Sequence, residues 1–357
     1  MRILERLDEL YAIGGGPGAN RPHGSPAEDE AHQLVASWLE EGGLEVEVDR
    51  QGNLFGHARA PASGEKVSDT VSDTWWVGSH LDTVPQGGRF DGALGVVAAI
   101  EAVERVGAGS VVVFRGEEVG CIGSRALVAA RGPLPRAFLE LHVEQGPVLA
   151  ERDAPLGVVT GIVGYARGEL VLDGRAGHAG TTPMAGREDA LVAAAAEILR
   201  VRDAALEVEG AVATIGQVVV EPGGANVIPS RVRLSLDVRA PDAARLDALI
   251  AAIGFEPSYR VEPAEFNGVS PQALRDAIAA RGLPAVELPS GAGHDAGILA
   301  SAGVDAAMLF VRSLNDGVSH SPDELSSDED VALAADVLTD ALARLVEGEA
   351  SLAPTTP

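Results

Sequence analysis

The chain has 357 residues, 46% of them hydrophobic, and a formal net charge of −26. This length and apolar content are sufficient for a sizeable core and predict two domains rather than one. The excess of acidic residues, with Lys66 as the only lysine, argues against nucleic acids and anionic membranes as partners.

The single cysteine, Cys121, excludes an intrachain disulfide framework and is typical of proteins in a reducing compartment. No uninterrupted apolar run reaches the roughly 20 residues that a membrane helix needs. The early charges Arg2 and Glu5 do not match a secretory signal. We therefore expect a cytoplasmic protein. Cys121 follows Glu117-Glu118 closely, which leaves a reactive thiol as an alternative, but a buried structural cysteine is favoured.

The first part of the chain is predicted to alternate helices and strands. The predicted elements are a helix over 1–13, a helix from the capping box Ser25-Pro26-Ala27-Glu28 to about Glu41, and strands over 44–48 and 54–58. Residues 61–73 are polar and predict a loop. The tail from Ser351 is predicted to be disordered.

A short apolar strand then runs into the stretch VGSHLDTVPQGGRFDGALGV, residues 77–96, which ends in an apolar helix. His80 and Asp82 therefore lie at the C-terminal end of a strand and Asp91 near a helix start, at the edge where open α/β sheets build their sites. The imidazole of His80 and a carboxylate there suit a metal ion. Asp82 would orient the imidazole without binding the ion itself. The alternative is a turn-rich loop with a surface histidine and two capping aspartates.

Two further apolar strands, over 110–114 and 137–141, end in residues of the same kind. The first delivers Glu117-Glu118 and the second delivers His142. Adjacent glutamates repel each other unless a dication holds one and leaves the other free for proton transfer. Solvated glutamates and a structural histidine are the alternatives, but three strands that each end in His or Glu favour a site.

The middle of the chain is predicted to be an inserted α+β segment of the βαββαβ type within a larger α/β domain whose mixed sheet is flanked by helices. Its predicted elements are strands over 169–172, 212–220 and 231–239 and helices over 188–201 and 242–253. The larger domain then resumes with helices over 272–281 and 329–346 and strands over 285–288 and 305–311.

The histidines fall into two groups. Those in loops rich in Gly, Ser or Thr after predicted strands are His80, His142, His178, His294 and His320. Those interpreted as ordinary surface or partly buried residues are His23, His32 and His57.

Five side chains supply nitrogen and oxygen ligands in the number that two divalent ions sharing one carboxylate need: His80, Asp91, Glu118, His142 and His320. Asp91 suits the shared position because it is a short carboxylate on a loop. A water held by two ions has a much lowered pKa, and Glu117 would be its general base. Such ligands admit zinc, manganese, cobalt or nickel. A lone structural ion with one or two of these ligands is the alternative that spacing leaves open.

These motifs resemble the binuclear metal amidohydrolases that include N-carbamoyl-L-amino-acid hydrolases, allantoate amidohydrolases and β-ureidopropionases, within the wider aminoacylase and carboxypeptidase group. The matching motifs, in the family's order between about residues 25 and 330, are GSHLDTVPQGG with the following DG and GV, Glu117-Glu118, LELHVEQG at 139–146, GHAGTTPM at 177–184, NVIP at 226–229, DVR at 237–239, SGAGHDA at 290–296 and SHSP at 319–322. LELHVEQGP and GHAGTTPM point to the carbamoyl branch rather than to the peptidases.

The resemblance implies a zinc-exopeptidase-like catalytic domain over 1–165 and 268–350, and a ferredoxin-like lid and dimerisation domain over 166–267. It implies one ion on His80, Asp91 and His142 and another on Asp91, Glu118 and His320, with Glu117 as the acid–base. The other roles that it implies are oxyanion stabilisation by His178, binding of the substrate carboxylate by Asn226 and Arg239, and lining of the pocket by Gln145 and His294.

The function that the resemblance implies is hydrolysis of an N-carbamoyl or ureido acid by a homodimer. N-carbamoyl-L-amino acids are the expected substrates, with allantoate and N-carbamoyl-β-alanine as alternatives. A non-catalytic metal- or ligand-binding protein of the same fold is the alternative of another class, although such a binder has no need of Glu117. The segment between Glu118 and His142 is shorter than is usual in the family, which leaves the substrate open.

Overall fold

The structure is a computed structural model that describes residues 2–58 and 75–350. The predicted loop over 61–73 and the predicted disordered tail from Ser351 lie outside these residues. The chain divides into two compact units, the first comprising 1–161 and 265–357 and the second 162–264.

The bounds of the helices and strands follow the chain. Before the second unit they are α1 (Arg2–Ala12), α2 (Pro26–Glu41), β1 (Glu45–Val48), β2 (Leu54–His57), β3 (Trp75–His80), α3 (Ala93–Val106), β4 (Ser110–Phe114), α4 (Ile122–Ala129), β5 (Ala137–Val143), α5 (Val148–Glu151) and β6 (Leu156–Ile162).

The next elements are β7 (Gly164–Asp173), β8 (Gly177–His178), α6 (Ala190–Leu206), β9 (Val212–Thr214), β10 (Val218–Glu221), β11 (Val227–Ile228), β12 (Arg231–Ala240), α7 (Ala243–Ile253) and β13 (Tyr259–Val261). The last are β14 (Ala264–Glu265), α8 (Val269–Ala279), β15 (Val286–Ser290), α9 (Asp295–Ser301), β16 (Asp305–Val311) and α10 (Asp328–Ala350).

The large sheet of the first unit is mixed, in the order β1-β2-β4-β3-β5-β16-β6-β14, with β15 also paired to β6. Its four central strands, β4, β3, β5 and β16, are parallel, whereas β1, β2 and β6 pair in antiparallel fashion. The predicted α/β fold with a mixed sheet flanked by helices is confirmed. In this register His80 lies opposite Phe114 and His142 opposite Phe310, so the C-terminal ends of the four parallel strands share one edge.

Helix α3 is the element that brings this edge into contact with the core. Its sequence ALGVVAAIEAVERV is apolar around most of its circumference, because β3, β5, α1 and α10 all pack against it. Gly95 makes the close approach possible, since a Cβ there would collide with the backbone oxygen of Leu141 and lie 2.6 Å from Ser79 Cβ. The N-terminus of α3 is thereby held against the two strands that carry His80 and His142.

The second unit has an antiparallel sheet in the order β10-β12-β7-β13, with β9 also paired to β12. The long central strands alternate strictly, so that Val232, Leu234, Leu236 and Val238 are buried while their neighbours in sequence are partly or fully exposed. Helices α6 and α7 cover the apolar face. The chain order of these elements follows the βαββαβ pattern.

Several local predictions differ from the structure. The strand predicted over 212–220 is two strands, β9 and β10, interrupted around Gly216, and α6 extends five residues beyond Val201. Helix α4 and strand β6 were not predicted. His32, which was interpreted as a surface or partly buried residue, is buried, with 5% of its surface exposed.

Within residues 2–58 and 75–350, no helix combines the length and the apolar content needed to cross a bilayer.

Candidate metal centre

The five predicted ligands reach one place because of the parallel strands. His80 is the last residue of β3. His142 is the second-last residue of β5, at the same edge of the sheet. Glu118 follows the end of β4, and His320 lies in the segment after β16. Asp91 precedes the N-terminus of α3. The carboxyl ends of parallel strands are where such side chains converge.

These residues form two groups of three that share Asp91. In the first group, Asp91 Oδ1 lies 3.6 Å from His80 Nε2 and 3.1 Å from His142 Nε2. In the second group, His320 Nε2 lies 3.4 Å from Asp91 Oδ2 and 3.3 Å from Glu118 Oε2. Within each group the ligand atoms lie within 4.8 Å of one another. The two oxygens of Asp91 thus face different groups.

The chemistry of these atoms fits divalent cations. His80 Nδ1 lies 3.0 Å from the backbone oxygen of Asp82, and His142 Nδ1 lies 2.9 Å from that of Val143. A neutral ring that donates its Nδ1 proton presents a lone pair on Nε2, as a metal ligand requires. The buried atoms His80 Nε2, His142 Nε2 and Glu118 Oε1 have no hydrogen-bond partner among residues 2–58 and 75–350. Unpaired buried polar atoms are costly, and coordination of a cation would satisfy them.

Asp82 holds the two adjacent glutamates in place. Its carboxylate accepts hydrogen bonds from the backbone N–H groups of Glu117 and Glu118, both at 3.1 Å. Asp82 Oδ1 also lies 3.5 Å from His80 Nδ1. Asp82 therefore supports a ligand and the loop after β4 without itself belonging to either group of three.

The charges of the site are crowded. Burial raises the pKa of Glu117 well above its ordinary value, and Asp295, Glu118 and Asp91 add to this although His80 opposes it. Burial and Asp91 likewise raise the pKa of Glu118. Burial also opposes the ionisation of Asp91, but its histidine neighbours lower its pKa below the ordinary value. A dication would relieve the repulsion between these carboxylates.

Glu117 lies beside the two groups and belongs to neither. Its Oε2 is 3.8 Å from His80 Nε2, and its Oε1 is 3.3 Å from His294 Nδ1. His294 Nε2 in turn lies 3.0 Å from Ser290 Oγ. Burial and the nearby His142 and His80 rings lower the pKa of His294 well below its ordinary value, so its ring is neutral. The carboxylate of Glu117 thus lies next to the candidate ligands, but neither group of three includes it.

Gln145, which was predicted to line the pocket, donates a hydrogen bond from Nε2 to Asp91 Oδ2 at 3.1 Å. It adopts a left-handed backbone conformation, with φ at 57°. Its amide is therefore aimed at the shared carboxylate.

The other three predicted residues lie in the second unit. His178 and Asn226 are neighbours there, because β8 pairs with β11. In addition, the N–H of Ala179 donates to the backbone oxygen of Asn226 at 2.9 Å. His178 Nδ1 accepts from the N–H of Gly180 at 3.1 Å, which leaves the proton of the neutral ring on Nε2. Arg239 lies on β12, where its Nε donates to Asp237 Oδ1 at 2.9 Å and its guanidinium lies 5.5 Å from the centre of the Tyr165 ring.

Comparison with known proteins agrees with these motifs. The chain matches the profile of peptidase family M20/M25/M40 over residues 76–344. The N-carbamoyl-L-amino acid amidohydrolase of Geobacillus stearothermophilus is 37% identical over 413 aligned positions, which cover 98% of this chain and 99% of that protein.

The chain belongs to the M20/M25/M40 peptidase family.

Other members of the M20/M25/M40 family show the same relationship. The allantoate amidohydrolase of Bacillus subtilis is 32% identical over 88% of this chain and 90% of its own. The crystal structure of a hydantoinase/carbamoylase family amidase from Burkholderia multivorans is 31% identical, covers 96% of both chains and superposes with a TM-score of 0.83. The alignment with the Geobacillus relative is longer than this chain, so it contains positions that this family member lacks.

The sequence motifs did not single out three buried carboxylates near the ligands. Glu140 accepts from Ser79 Oγ at 2.8 Å and from the N–H of Ala296, and Asp295 accepts from Ser124 Oγ at 2.5 Å. Glu324 accepts from the N–H groups before α3. Glu140 and Asp295 lie within quoted motifs, LELH and GHDA, and their neighbours in sequence are site residues. Glu324, four residues after His320, offered no such signal.

Proposed function

We propose that the protein is a metal-dependent amidohydrolase that cleaves the carbamoyl C–N bond of an N-carbamoyl-L-amino acid, yielding the amino acid, ammonia and carbon dioxide. The relatives named above support the substrate class. The observation that carries the proposal is the position of Glu117, a buried carboxylate beside two ligand groups that it does not join. A protein that only bound metal would have no use for it.

Two divalent ions would be held by the two groups of three, one by His80, Asp91 and His142 and the other by Asp91, Glu118 and His320. When bound, they would polarise the scissile carbonyl and lower the pKa of the attacking water. The nitrogen and oxygen ligands suit zinc, manganese, cobalt or nickel.

Glu117 takes a proton from the attacking water and delivers it to the departing nitrogen. The water oxygen bonds to the carbamoyl carbon, the C–N bond breaks, ammonia leaves, and the carbamate that remains decomposes to the amine and carbon dioxide. His294, whose Nδ1 lies 3.3 Å from Glu117 Oε1, lines the pocket beside that carboxylate. Gln145 holds Asp91 Oδ2 in position.

The residues of the second unit are assigned to substrate recognition. His178 stabilises the oxyanion through its Nε2 proton, which the bond from Gly180 to Nδ1 leaves in place. Asn226 and Arg239 bind the substrate carboxylate, Arg239 through its planar fork once a substrate replaces Asp237 as its partner. We assign the lid role to this unit, over about residues 166–267, and the catalytic role to a domain over 1–165 and 268–350.

The decisive experiment measures ammonia release from N-carbamoyl amino acids, N-carbamoyl-β-alanine and allantoate. Metal is stripped from the wild-type protein, from the variant Glu117→Gln and from the exposed control Glu41→Gln. Manganese, zinc, cobalt or nickel is then added back to each. Loss of a general base removes about 10²- to 10⁴-fold of the rate. We expect metal-dependent release that Glu117→Gln reduces by this amount and Glu41→Gln leaves unchanged.

The panel also separates the alternatives. Release from allantoate alone would support allantoate as the substrate, the second candidate, which the Bacillus subtilis relative favours. Release from N-carbamoyl-β-alanine alone would support the third candidate. If two ions bind and none of these compounds is cleaved, the non-catalytic binding protein becomes the better description.

We further propose a cytoplasmic homodimer formed through the second unit. Helix α6 exposes four large apolar side chains, and strand β10, which has a neighbour only on one side among the described strands, exposes two more. These residues are Leu191, Val192, Leu199, Leu206, Val218 and Val219. Exposed apolar side chains and an open strand edge are each typical of association surfaces.

Light scattering after size exclusion tests the dimer. The double variant Val192→Glu with Leu199→Glu is expected to halve the mass, whereas Val171→Glu, an exposed apolar residue on β7, is expected to leave it unchanged. A monomeric wild-type protein would refute the dimer.

A further inference from the structure

Glu324 is a buried carboxylate that no part of the proposed chemistry uses. Its side chain is 4% exposed, although it lies in the segment between β16 and α10. One oxygen, Oε1, accepts hydrogen bonds from the backbone N–H groups of Phe90 at 2.8 Å and Asp91 at 3.1 Å. The other, Oε2, accepts from Ser319 Oγ at 2.9 Å.

These contacts join two loops that are far apart in sequence. Asp91 is the carboxylate shared by both ligand groups, and Ser319 immediately precedes the ligand His320. The approach is close, because a Cβ at Gly88 would occupy the position of the Glu324 carboxylate. Glu324 therefore fixes one ligand loop directly against the other.

The two groups differ in how much support they need. His80 and His142 are buried within strands β3 and β5, with the sheet holding their backbones. His320 lies in a loop, has a left-handed backbone with φ at 53°, and leaves 49% of its side chain exposed. An exposed ligand on an irregular segment depends on neighbouring contacts for its position.

We infer that Glu324 is a positioning residue that sets the affinity of the second group, Asp91, Glu118 and His320, for its ion. It acts through the backbone of Asp91 and the hydroxyl of Ser319 and is not itself a ligand, since both of its oxygens already accept hydrogen bonds. This inference rests on the proposed two-ion site. It adds that the affinity for the second ion depends on the hydrogen bonds of Glu324 more than the affinity for the first ion does.

The test measures metal binding rather than turnover. The stripped full-length protein is titrated with manganese and separately with zinc by calorimetry, and the metal content is measured after desalting. The variants are Glu324→Ala, Glu324→Gln and Ser319→Ala. Removal of an outer-shell partner typically weakens metal affinity about 10- to 100-fold.

In the wild-type protein we expect two binding events. Glu324→Ala is expected to weaken binding at the second group by about 10- to 100-fold, leaving about one ion after desalting. The first group, which shares Asp91 but holds its histidines on strands, is expected to lose less affinity. Ser319→Ala removes one of the three contacts and is expected to weaken binding at the second group by a smaller factor. Glu324→Gln keeps an oxygen acceptor for both N–H groups, so its affinity is expected to stay closer to wild type than that of Glu324→Ala.

Asp305→Ala is the matched control for a general loss of stability. Asp305 also accepts two backbone N–H bonds, from Val269 and Ser270, but it begins β16 at the edge opposite the ligands. It is expected to lower the melting temperature while leaving both binding constants unchanged.

Equal weakening of both binding events by Glu324→Ala, or no change in either, would overturn the inference. An equal loss of metal affinity in Glu324→Gln and Glu324→Ala would also overturn it. The charge of Glu324, rather than its hydrogen bonds, would then set the affinity. A wild-type protein that binds fewer than two ions would instead refute the proposed site itself.

Discussion

His32 is a buried imidazole that makes the stability of the protein depend on pH. Its side chain lies on α2 with 5% exposure, and neither ring nitrogen has a hydrogen-bond partner. Burial, with a contribution from Arg115, lowers its pKa from 6.5 to about 3. The unfolded chain therefore binds this proton more tightly than the folded chain does. The stability that depends on the neutral ring is complete above pH 6.5 and is lost as the pH falls toward 3.

The size of this effect decides whether it can be measured. By pH 5 the loss amounts to about 2 kcal/mol, and at pH 3 it reaches at most about 5 kcal/mol. We expect His32→Leu to flatten the pH dependence of the urea midpoint between pH 7.5 and 4.5. Both proteins are compared without metal, so that the site histidines contribute equally. Parallel profiles for the variant and the wild type would show that His32 is not the group responsible.

At the residue scale the sequence predicted the side chains that the structure brings together, but not the residues that hold them in place. The five candidate ligands were predicted because each follows an apolar strand or precedes an apolar helix, a pattern that one chain displays by itself. Glu324 could not be predicted in this way, since its partners at Phe90 and Asp91 lie more than 230 positions away. A hydrogen bond to a backbone N–H leaves no trace in the identity of the donor residue.

Among the elements, strands with a clear pattern were predicted well, including the short β1 and β2, whereas the interrupted strand over 212–220 was not. The alternation over 231–239 corresponds to β12, and the continuous apolar run over 110–114 corresponds to β4. The run over 212–220 was predicted as one strand because its valines suggest continuity. Gly216 interrupts it, and the chain re-enters the sheet as β10, a break that only the pairing with β12 reveals.

The packing of α3 on the sheet provides a prediction at the scale of an element. In an exposed helix, replacement of glycine by alanine would stabilise by up to about 1 kcal/mol through propensity. At Gly95 the new methyl group would collide with the Leu141 oxygen and with Ser79. Overpacking of this kind costs about 1 to 3 kcal/mol, so the collision outweighs the propensity. We expect Gly95→Ala to lower the urea midpoint and to weaken metal binding, because the α3 N-terminus follows Asp91.

Gly348 supplies the control for this prediction. It also lies in a helix, α10, but no other atom of the described part of the chain comes within 4 Å of a Cβ placed there. Gly348→Ala is expected to leave the urea midpoint unchanged or to raise it slightly. A Gly95→Ala protein as stable as Gly348→Ala would contradict the close packing of α3.

For the molecule as a whole, the site joins segments that the chain order keeps apart. The candidate ligands come from positions 80, 91, 118, 142 and 320, so two bound ions would cross-link the beginning and the end of the first unit. Without ions, the buried carboxylates Asp82, Asp91, Glu117 and Glu118 repel one another within a chain whose net charge is already −26. Metal binding therefore affects stability through both the cross-link and the relief of repulsion.

We expect removal of metal by chelation to lower the melting temperature by several degrees, and addition of manganese or zinc to restore it. A ligand that binds only the folded state stabilises it by about 4 kcal/mol at a thousand times its dissociation constant. The variant Asp91→Ala loses the carboxylate that both groups share, so it should show no metal-dependent increase. It should also be somewhat less stable than the stripped wild-type protein, because the histidines that lower the pKa of Asp91 and the Gln145 amide lose their partner. Scanning calorimetry of both proteins, with and without metal, measures the four melting temperatures. An Asp91→Ala protein that still gains stability from metal would mean that ions bind elsewhere on the chain.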